Sequence, residues 1–135
     1  MWVFTKYGFF SAVCARQGDG GYGQPPDPDR IMVRARDRDH LERLAAACPE
    51  QLGGLAITET ADTDYRYRIF VGKPQWKQTM AALADDIDYD NFKNEAARRH
   101  GHGNAYVQAL REVWGIGYRM QATTGDPDLP EADSE

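Results

Sequence analysis

The sequence predicts an α+β fold: a single antiparallel sheet with helices packed on one face. Three observations lead to this class. Residues 31–87 alternate strand and helix patterns in the order β-α-β-β-α, which matches a ferredoxin-like core. The first 16 residues have the composition of an N-terminal β-hairpin. Residues 105–120 have the apolar periodicity of an extra C-terminal helix.

The chain begins with two strand-like segments, "MWVFT" and "GFFSAVCAR", which are rich in aromatic and β-branched residues and are separated by the turn "KYG". The segment Gln17–Asp29, "QGDGGYGQPPDPD", follows as a long glycine- and proline-rich loop. It lacks the GK[ST] ending of a Walker A motif, so a flexible connector is favoured over a phosphate cradle.

The first half of the core is a strand followed by a helix. The strand is Arg30–Arg36, "RIMVRAR", and either Asp37 or Asp39 caps the helix after it. The glycine pair at 53–54 ends this helix. Apolar residues at helical spacing predict its buried stripe, which consists of Leu41, Leu44, Ala45, Cys48 and Leu52.

The second half of the core is a pair of strands and a second helix. The strands are "LAITET" and "YRYRIFVG", joined by the turn "ADTD". The helix begins near Pro74, a residue that suits a first turn, and its apolar stripe is Trp76, Met80, Leu83 and Ile87. After the break "HGHGN", the segment "AYVQALREVWGIGYRM" is the last predicted helix.

The net charge is confined to the C-terminus. The chain of 135 residues has 16 basic and 21 acidic residues, a formal net charge of −5. Residues 121–135 contain five of the acids and no base, which leaves 16 acids against 16 bases in residues 1–120. We therefore predict one α+β domain over residues 1–120 and a disordered acidic tail over residues 121–135.

Signals for targeting, metals and cofactors are weak. No run approaches the roughly 18 apolar residues that span a bilayer, and the N-terminus lacks the basic region of a signal peptide. Cys14 and Cys48 lie among apolar neighbours and outside any CxxC or Cys/His cluster, which is typical of buried reduced thiols. We expect a cytoplasmic protein with no membrane partner, no metal and no cofactor.

Side-chain alternation places arginines on the sheet face that the helices leave uncovered. These arginines lie on the two predicted strands that begin at Arg30 and at Tyr65. The apolar residues of both strands, which include Tyr65 and Tyr67, are assigned to the side that the helices cover. The residues on the uncovered side, which we predict to bind a ligand, are Arg34, Arg36, Arg66, Arg68 and Phe70.

Four arginines on neighbouring strands repel one another and need a counter-charge. A bound anion is one source, because a guanidinium group donates two parallel hydrogen bonds to a phosphate. Aromatic residues on the same face would stack bases, and the candidates beside Phe70 are Trp2 with either Phe4 or Phe10, according to the hairpin register. Internal ion pairs with nearby acids are the alternative source; these acids are Glu59, Asp62, Asp64 and the acidic residues of 85–90.

The first function hypothesis is a small binding module for a phosphate-bearing ligand, either a nucleic acid or a nucleotide. A metal-dependent nuclease or phosphodiesterase is an alternative, with Asp85–Asp90 and His100 or His102 as its candidate residues. Helix capping by Asp88 or Asp90 explains this acidic run more simply. A homodimeric interaction module, which pairs through the hairpin edge or the last helix, is a third possibility.

The segments "FTKYGFFS", "TDYRYRIFV" and "IDYDNFK", with "VW" near the C-terminus, resemble a family of small uncharacterised bacterial proteins. The resemblance covers most of residues 1–118, without the loop Gln17–Asp29 and the acidic tail. It implies a free-standing small bacterial protein. Because no activity is assigned to that family, the resemblance implies no catalytic residues.

Overall fold

The computed structural model describes residues 1–124, so most of the predicted acidic tail, from residue 125 on, lies outside the described residues. The strands are β1 (Trp2–Thr5), β2 (Gly8–Arg16), β3 (Pro26–Ala35), β4 (Thr58–Glu59) and β5 (Tyr67–Gly72). The helices are α1 (Arg38–Ala47), α2 (Pro49–Leu52), α3 (Lys73–Asp85), α4 (Phe92–His100) and α5 (Ala105–Thr124). These residues form two compact units, Met1–Asp88 and a second unit that begins at Tyr89.

The first unit contains one five-stranded antiparallel sheet in the order β1-β2-β3-β5-β4. Helices α1 and α3 contact the central strands β3 and β5. The predicted fold class is therefore confirmed. Strand β2 lies beside β3, in the place that a C-terminal strand takes in a ferredoxin-like sheet, and β1 forms the edge.

The core lies between the sheet and its helices. Alternate residues of β2, β3 and β5 are buried on this side, because successive strand side chains point to opposite faces. These strand residues are Phe10, Ala12, Ile31, Val33, Ala35, Ile69 and Val71, and they pack on Leu41, Leu44, Cys48, Leu52 and Trp76 of the helical segments. The predicted stripe of the first helix is confirmed, with Ala45 partly buried at its margin.

The loop after the hairpin is shorter than predicted, because β3 begins at Pro26. Past a β-bulge at Cys14 and Ala15, this early part of β3 pairs with the end of β2. Strand β5 reaches only Gly72, opposite Arg30, so the first residues of β3 have a neighbour on one side alone. Proline is tolerated there because an edge position requires fewer backbone donors.

The segment that was predicted as the first helix forms two helices, α1 and α2. Asp37 is the N-cap of α1, and its side chain accepts a hydrogen bond from the Asp39 backbone at 2.9 Å. The helix ends at Ala47 because Pro49 cannot continue it, and Pro49 instead opens the single turn of α2. Leu52 remains in the core despite the break.

Two further boundaries differ from the prediction. The segment "LAITET" contributes only the two residues of β4, and β5 begins at Tyr67 rather than at Tyr65. Helix α3 ends at Asp85, so Ile87 does not join its stripe and is 62% exposed.

The second unit contains α4 packed against α5. Asn91 caps α4, and its side chain accepts a hydrogen bond from the Asn94 backbone at 3.0 Å; neither Asp88 nor Asp90 holds this position. Helix α5 continues to Thr124, beyond its predicted end at residue 120. Among the described residues, none of the helices is long and apolar enough to cross a bilayer.

Candidate functional site: an arginine pocket

The sheet face opposite α1 and α3 is called here the arginine face. Arg34 on β3 and Arg68 on β5 are direct cross-strand partners on this face, and Ser11 on β2 is the partner of Arg34 on its other side. In the adjacent row, Met32 is paired with Phe70. Alternation along two paired strands therefore brings Arg34, Arg68 and Phe70 to one surface.

Tyr65 differs from the sequence prediction. It was assigned to the helix-covered side, but it precedes β5 and its ring lies with the residues of the arginine face. The guanidinium carbons of Arg34 and Arg36 are 4.5 Å and 4.2 Å from its ring centroid. Because Tyr65 is outside the strand ladder, strand alternation does not govern its side chain.

The remaining two arginines have different surroundings. The Nε of Arg36 donates to the backbone carbonyl of Asp64 at 3.1 Å, beside the Tyr65 ring. Arg66 forms an ion pair with Glu59 at 2.7 Å, and Glu59 is paired in register with Tyr67. Arg66 therefore has an internal counter-charge, as the alternative interpretation expected for the arginines.

A cavity of about 820 Å³ opens on the arginine face. Its charged lining consists of four arginines and two aspartates, a formal charge of +2; these are Arg16, Arg30, Arg34, Arg68, Asp19 and Asp64. Phe70 and Tyr22 also line it, whereas Arg36 and Arg66 do not. We call this cavity the arginine pocket.

Two arginines and one aromatic residue of the lining, Arg16, Arg30 and Tyr22, were not among the site residues predicted from the sequence. Arg30 shares the alternation of Arg34 on β3, and its guanidinium lies 4.5 Å from the Phe70 ring centroid, so the strand pattern could have identified it. Arg16 ends β2, and Tyr22 lies in the loop after it. Only the folded path of the chain at the end of β2 brings these two residues to the pocket.

Arg16 holds that loop against the strand end. Its Nη1 donates to the carbonyls of Tyr22 and Gln24 at 2.9 Å and 3.1 Å, and its guanidinium lies 5.0 Å from the Tyr22 ring centroid. Asp19 accepts from the Gly21 backbone at 2.8 Å within the same loop. The loop therefore forms a wall of the pocket through its own hydrogen bonds.

The two paired arginines are only partly satisfied by the protein. Arg34 Nη2 donates to the Ser11 hydroxyl at 2.9 Å, and Arg68 Nη2 donates to the Tyr65 carbonyl at 3.0 Å. The Nε atoms of both arginines are buried and, within residues 1–124, have no hydrogen-bond partner. A buried donor without an acceptor is rare in folded proteins, and Arg34 and Arg68 each have one.

The electrostatics of Arg68 agree with this geometry. Burial lowers the pKa of its guanidinium, the nearby charge of Arg34 lowers it further, and Asp64 acts in the opposite direction. No carboxylate of the described chain lies within 4.0 Å of Arg30, Arg34 or Arg68. Asp64 is thus a partial counter-charge and not an ion-pair partner.

The residues of the alternative nuclease hypothesis do not form a ligand cluster. In the part of the chain that the structure describes, no three His, Cys, Asp or Glu side chains converge as a metal site requires. Asp86 accepts a hydrogen bond from the Tyr7 hydroxyl at 2.6 Å, and Asp88 forms an ion pair with Lys6 at 3.4 Å. These two acids join the end of α3 to the turn of the hairpin.

The histidine-rich break belongs to the second unit. The His100 ring lies edge-on to Tyr106, with centroids 5.2 Å apart, and the His102 carbonyl accepts from Gln108. Hydrogen bonds from Arg98 and Arg99 lower the pKa of Glu95 to about 2. The contacts of His100 and His102 join the end of α4 to α5, whereas the Glu95 ion pairs lie within α4.

The chain matches no family model, and comparison with the curated proteins and with the solved structures likewise gives no match. The resemblance to small bacterial proteins therefore stays a prediction.

Proposed function

We propose that this protein is a binding module that holds a phosphate-bearing ligand, a nucleotide or the phosphate of a nucleic acid, in the arginine pocket. The observation that carries the proposal is the facing pair Arg34 and Arg68, which line the pocket without a carboxylate at ion-pair distance in residues 1–124 and whose buried Nε atoms have no acceptor within the described chain. An unsatisfied buried donor costs about 1–3 kcal/mol, and more when the group is charged. A bound oxyanion would supply the counter-charge that the two guanidinium groups lack.

Charge supports the same ligand class. The lining has a formal charge of +2, and its arginines have no carboxylate partner within ion-pair distance in residues 1–124. Guanidinium groups bind phosphate through two parallel, charge-assisted hydrogen bonds, which are stronger than neutral ones. A polyanionic group therefore gains more here than a neutral polar ligand of the same size.

The size of the pocket suits a small ligand or one segment of a larger one. Its volume of about 820 Å³ is within the roughly 300–1,000 Å³ of small-molecule sites. Phe70 and Tyr22 add aromatic surface to the cationic lining. The combination of guanidinium forks with aromatic rings is suited to a ligand that contains both a phosphate and a base.

The test is a calorimetric titration of the full chain with pyrophosphate and with ATP at about 50 mM NaCl, where charge screening is weak. Arg68→Met should lower affinity about 10- to 100-fold, because charged hydrogen bonds contribute about 1.5–3 kcal/mol each. Arg68→Lys should recover only part of this loss, since an ammonium group lacks the planar fork.

Arg66→Met is the matched control. It removes the same side chain two residues away, but from a position that is ion-paired to Glu59 and does not line the pocket. We expect its affinity for pyrophosphate to stay within about twofold of the parent value, as for other surface changes. Equal losses in Arg66→Met and Arg68→Met, or no heat of binding in the parent protein, would refute the proposed function.

A further inference from the structure

An aromatic strip lies on the arginine face at the hairpin. The rings of Phe4 and Phe9 are stacked, with centroids 4.6 Å apart and planes 20° from parallel. Trp2 meets Phe9 edge-on at 5.9 Å. Trp2 is 70% exposed and Phe4 36% exposed, so two large rings face solvent side by side. We call Trp2, Phe4 and Phe9 the aromatic strip.

The hairpin register resolves which aromatic residues share the face with the arginines. Trp2 is paired with Ser11 and Phe4 with Phe9, so these residues lie on the side of Arg34. Phe10 is fully buried in the core on the other side. Of the residues considered from the sequence, Trp2 and Phe4 are thus the available stacking surfaces.

The strip and the pocket are connected by one continuous row of paired residues. Trp2 is paired with Ser11, Ser11 with Arg34, and Arg34 with Arg68. With strands about 4.8 Å apart, this row places the Cα atoms of Trp2 and Arg68 about 14 Å from each other. None of the strip residues lines the pocket, so a ligand that occupies both must extend beyond the pocket, as a chain of nucleotides does.

Arg36 bridges the aromatic and cationic parts. Its guanidinium carbon lies 5.8 Å from the Phe9 ring centroid and 4.2 Å from that of Tyr65. Strands β1 and β2 contain no acidic residue, so no carboxylate of these strands interrupts the positive potential along this path. A ligand that extends from the pocket to the strip therefore meets cationic and aromatic groups in turn.

We infer that the arginine face binds single-stranded nucleic acid, with a backbone phosphate in the arginine pocket and a base stacked on Trp2 or Phe4. The inference rests on the proposed function for its phosphate end. Bases of a single strand have free π-faces, and aromatic stacking accepts any of them. A duplex hides these faces. A second copy of this chain, docked face to face, would bring arginine against arginine.

The test is fluorescence anisotropy of the full chain with labelled oligothymidine and oligouridine of about ten nucleotides, a typical single-strand site size. Trp2→Ala should weaken oligonucleotide binding about 5- to 100-fold, the range for loss of one stacked base. Trp2→Phe should restore most of the affinity, because it keeps a stacking ring. Affinity for pyrophosphate should be unchanged in both variants, whereas Arg68→Met should weaken both ligands.

Trp114→Ala is the matched control, since Trp114 is a 45% exposed tryptophan on α5 in the second unit. Its oligonucleotide affinity should equal that of the parent protein. The inference is supported if either oligomer binds, if Trp2→Ala weakens that binding, and if Trp2→Phe and Trp114→Ala largely retain it. Comparison of oligothymidine with oligouridine shows which sugar is preferred.

Three results would overturn the inference. If pyrophosphate binds and neither oligomer does, the single-strand inference fails while the proposed function stands. If neither ligand binds, both fail. If Trp2→Ala leaves oligonucleotide affinity unchanged, or instead converts a dimer seen by light scattering into a monomer, the aromatic strip serves another role.

Discussion

The like-charged pair of Arg34 and Arg68 should destabilise the protein when no anion is bound. The two residues are direct cross-strand partners, and their nearest acid, among the residues that the structure describes, is outside ion-pair distance. We therefore expect a double-mutant cycle with Arg34→Met and Arg68→Met to give an unfavourable coupling energy. Methionine retains an apolar stem of similar reach while it removes the charge.

The magnitude follows from the separation of the charges. Opposed residues on paired strands have Cβ atoms about 5 Å apart, which implies about 6 Å between two guanidinium groups that share a face. Coulomb's law then gives about 3 kcal/mol at an effective dielectric constant of about 20, and about 0.7 kcal/mol at that of water. Both side chains are half-buried, so we expect a coupling of about 1–2 kcal/mol.

The assay is urea denaturation of the parent, the two single variants and the double variant, followed by circular dichroism. The cycle cancels the hydrogen bonds that each arginine makes separately, such as that of Arg34 to Ser11. The coupling should shrink at about 0.5 M NaCl because salt screens the repulsion. It should become favourable in saturating pyrophosphate, which links both arginines to one anion.

A parallel cycle of Arg34 with Arg66 is the control. Its coupling should be close to zero, because Glu59 neutralises Arg66 at 2.7 Å. A coupling between Arg34 and Arg68 that is zero or favourable without any anion would mean that the pair does not repel. The physical reason for a ligand counter-charge would then be lost.

Three further predictions concern other parts of the chain. Gly8→Ala should lower the free energy of unfolding in urea by about 2–4 kcal/mol, because an added Cβ would overlap the buried His40 ring; a change under about 0.5 kcal/mol would contradict this close packing. Burial, with a smaller contribution from a nearby carboxylate, raises the pKa of the Cys48 thiol. A thiol reagent near pH 8 should therefore modify the half-buried Cys14 at least about tenfold faster than Cys48, and equal rates at the two thiols would contradict this. Hydrogen bonds from its two arginine partners hold the pKa of Glu95 at about 2, below the usual value of about 4.3, so the stability that the Glu95 carboxylate contributes is complete above about pH 4.3 and is lost as the pH falls through about 2. In an acid titration followed by circular dichroism, the parent protein should lose helicity over this range and Glu95→Gln should not; the same loss in both proteins would exclude Glu95 as its source.

The predicted and observed folds agree where the prediction depends on patterns that are local in the chain. Strand β3 alternates Ile31 and Val33 with Met32 and Arg34, and the structure buries the first pair against the helices. The period of two in a strand follows from backbone geometry alone, so no tertiary information is needed. The same reasoning correctly placed Arg34 on the face opposite the core.

The prediction failed where a residue lies outside the ladder that the pattern assumes. Tyr65 and Arg66 continue the alternation of β5 in the sequence, but the strand begins only at Tyr67. Tyr65 therefore turns to the arginine face, and Arg66 turns to Glu59. Strand ends depend on where the neighbouring strand stops, and a single segment does not contain that information.

The sequence by itself determined the α+β class, the core face of each main strand and the presence of arginines on the opposite face, because alternation and helical periodicity are properties of the local backbone. Only the tertiary structure decided that Arg34 faces Arg68, that the end of β2 and the loop after it bring Arg16 and Tyr22 to the same cavity, and that two guanidinium Nε atoms lack an acceptor within the described chain. These features depend on strand register and on the path of a loop, both of which are set by contacts between residues far apart in the chain.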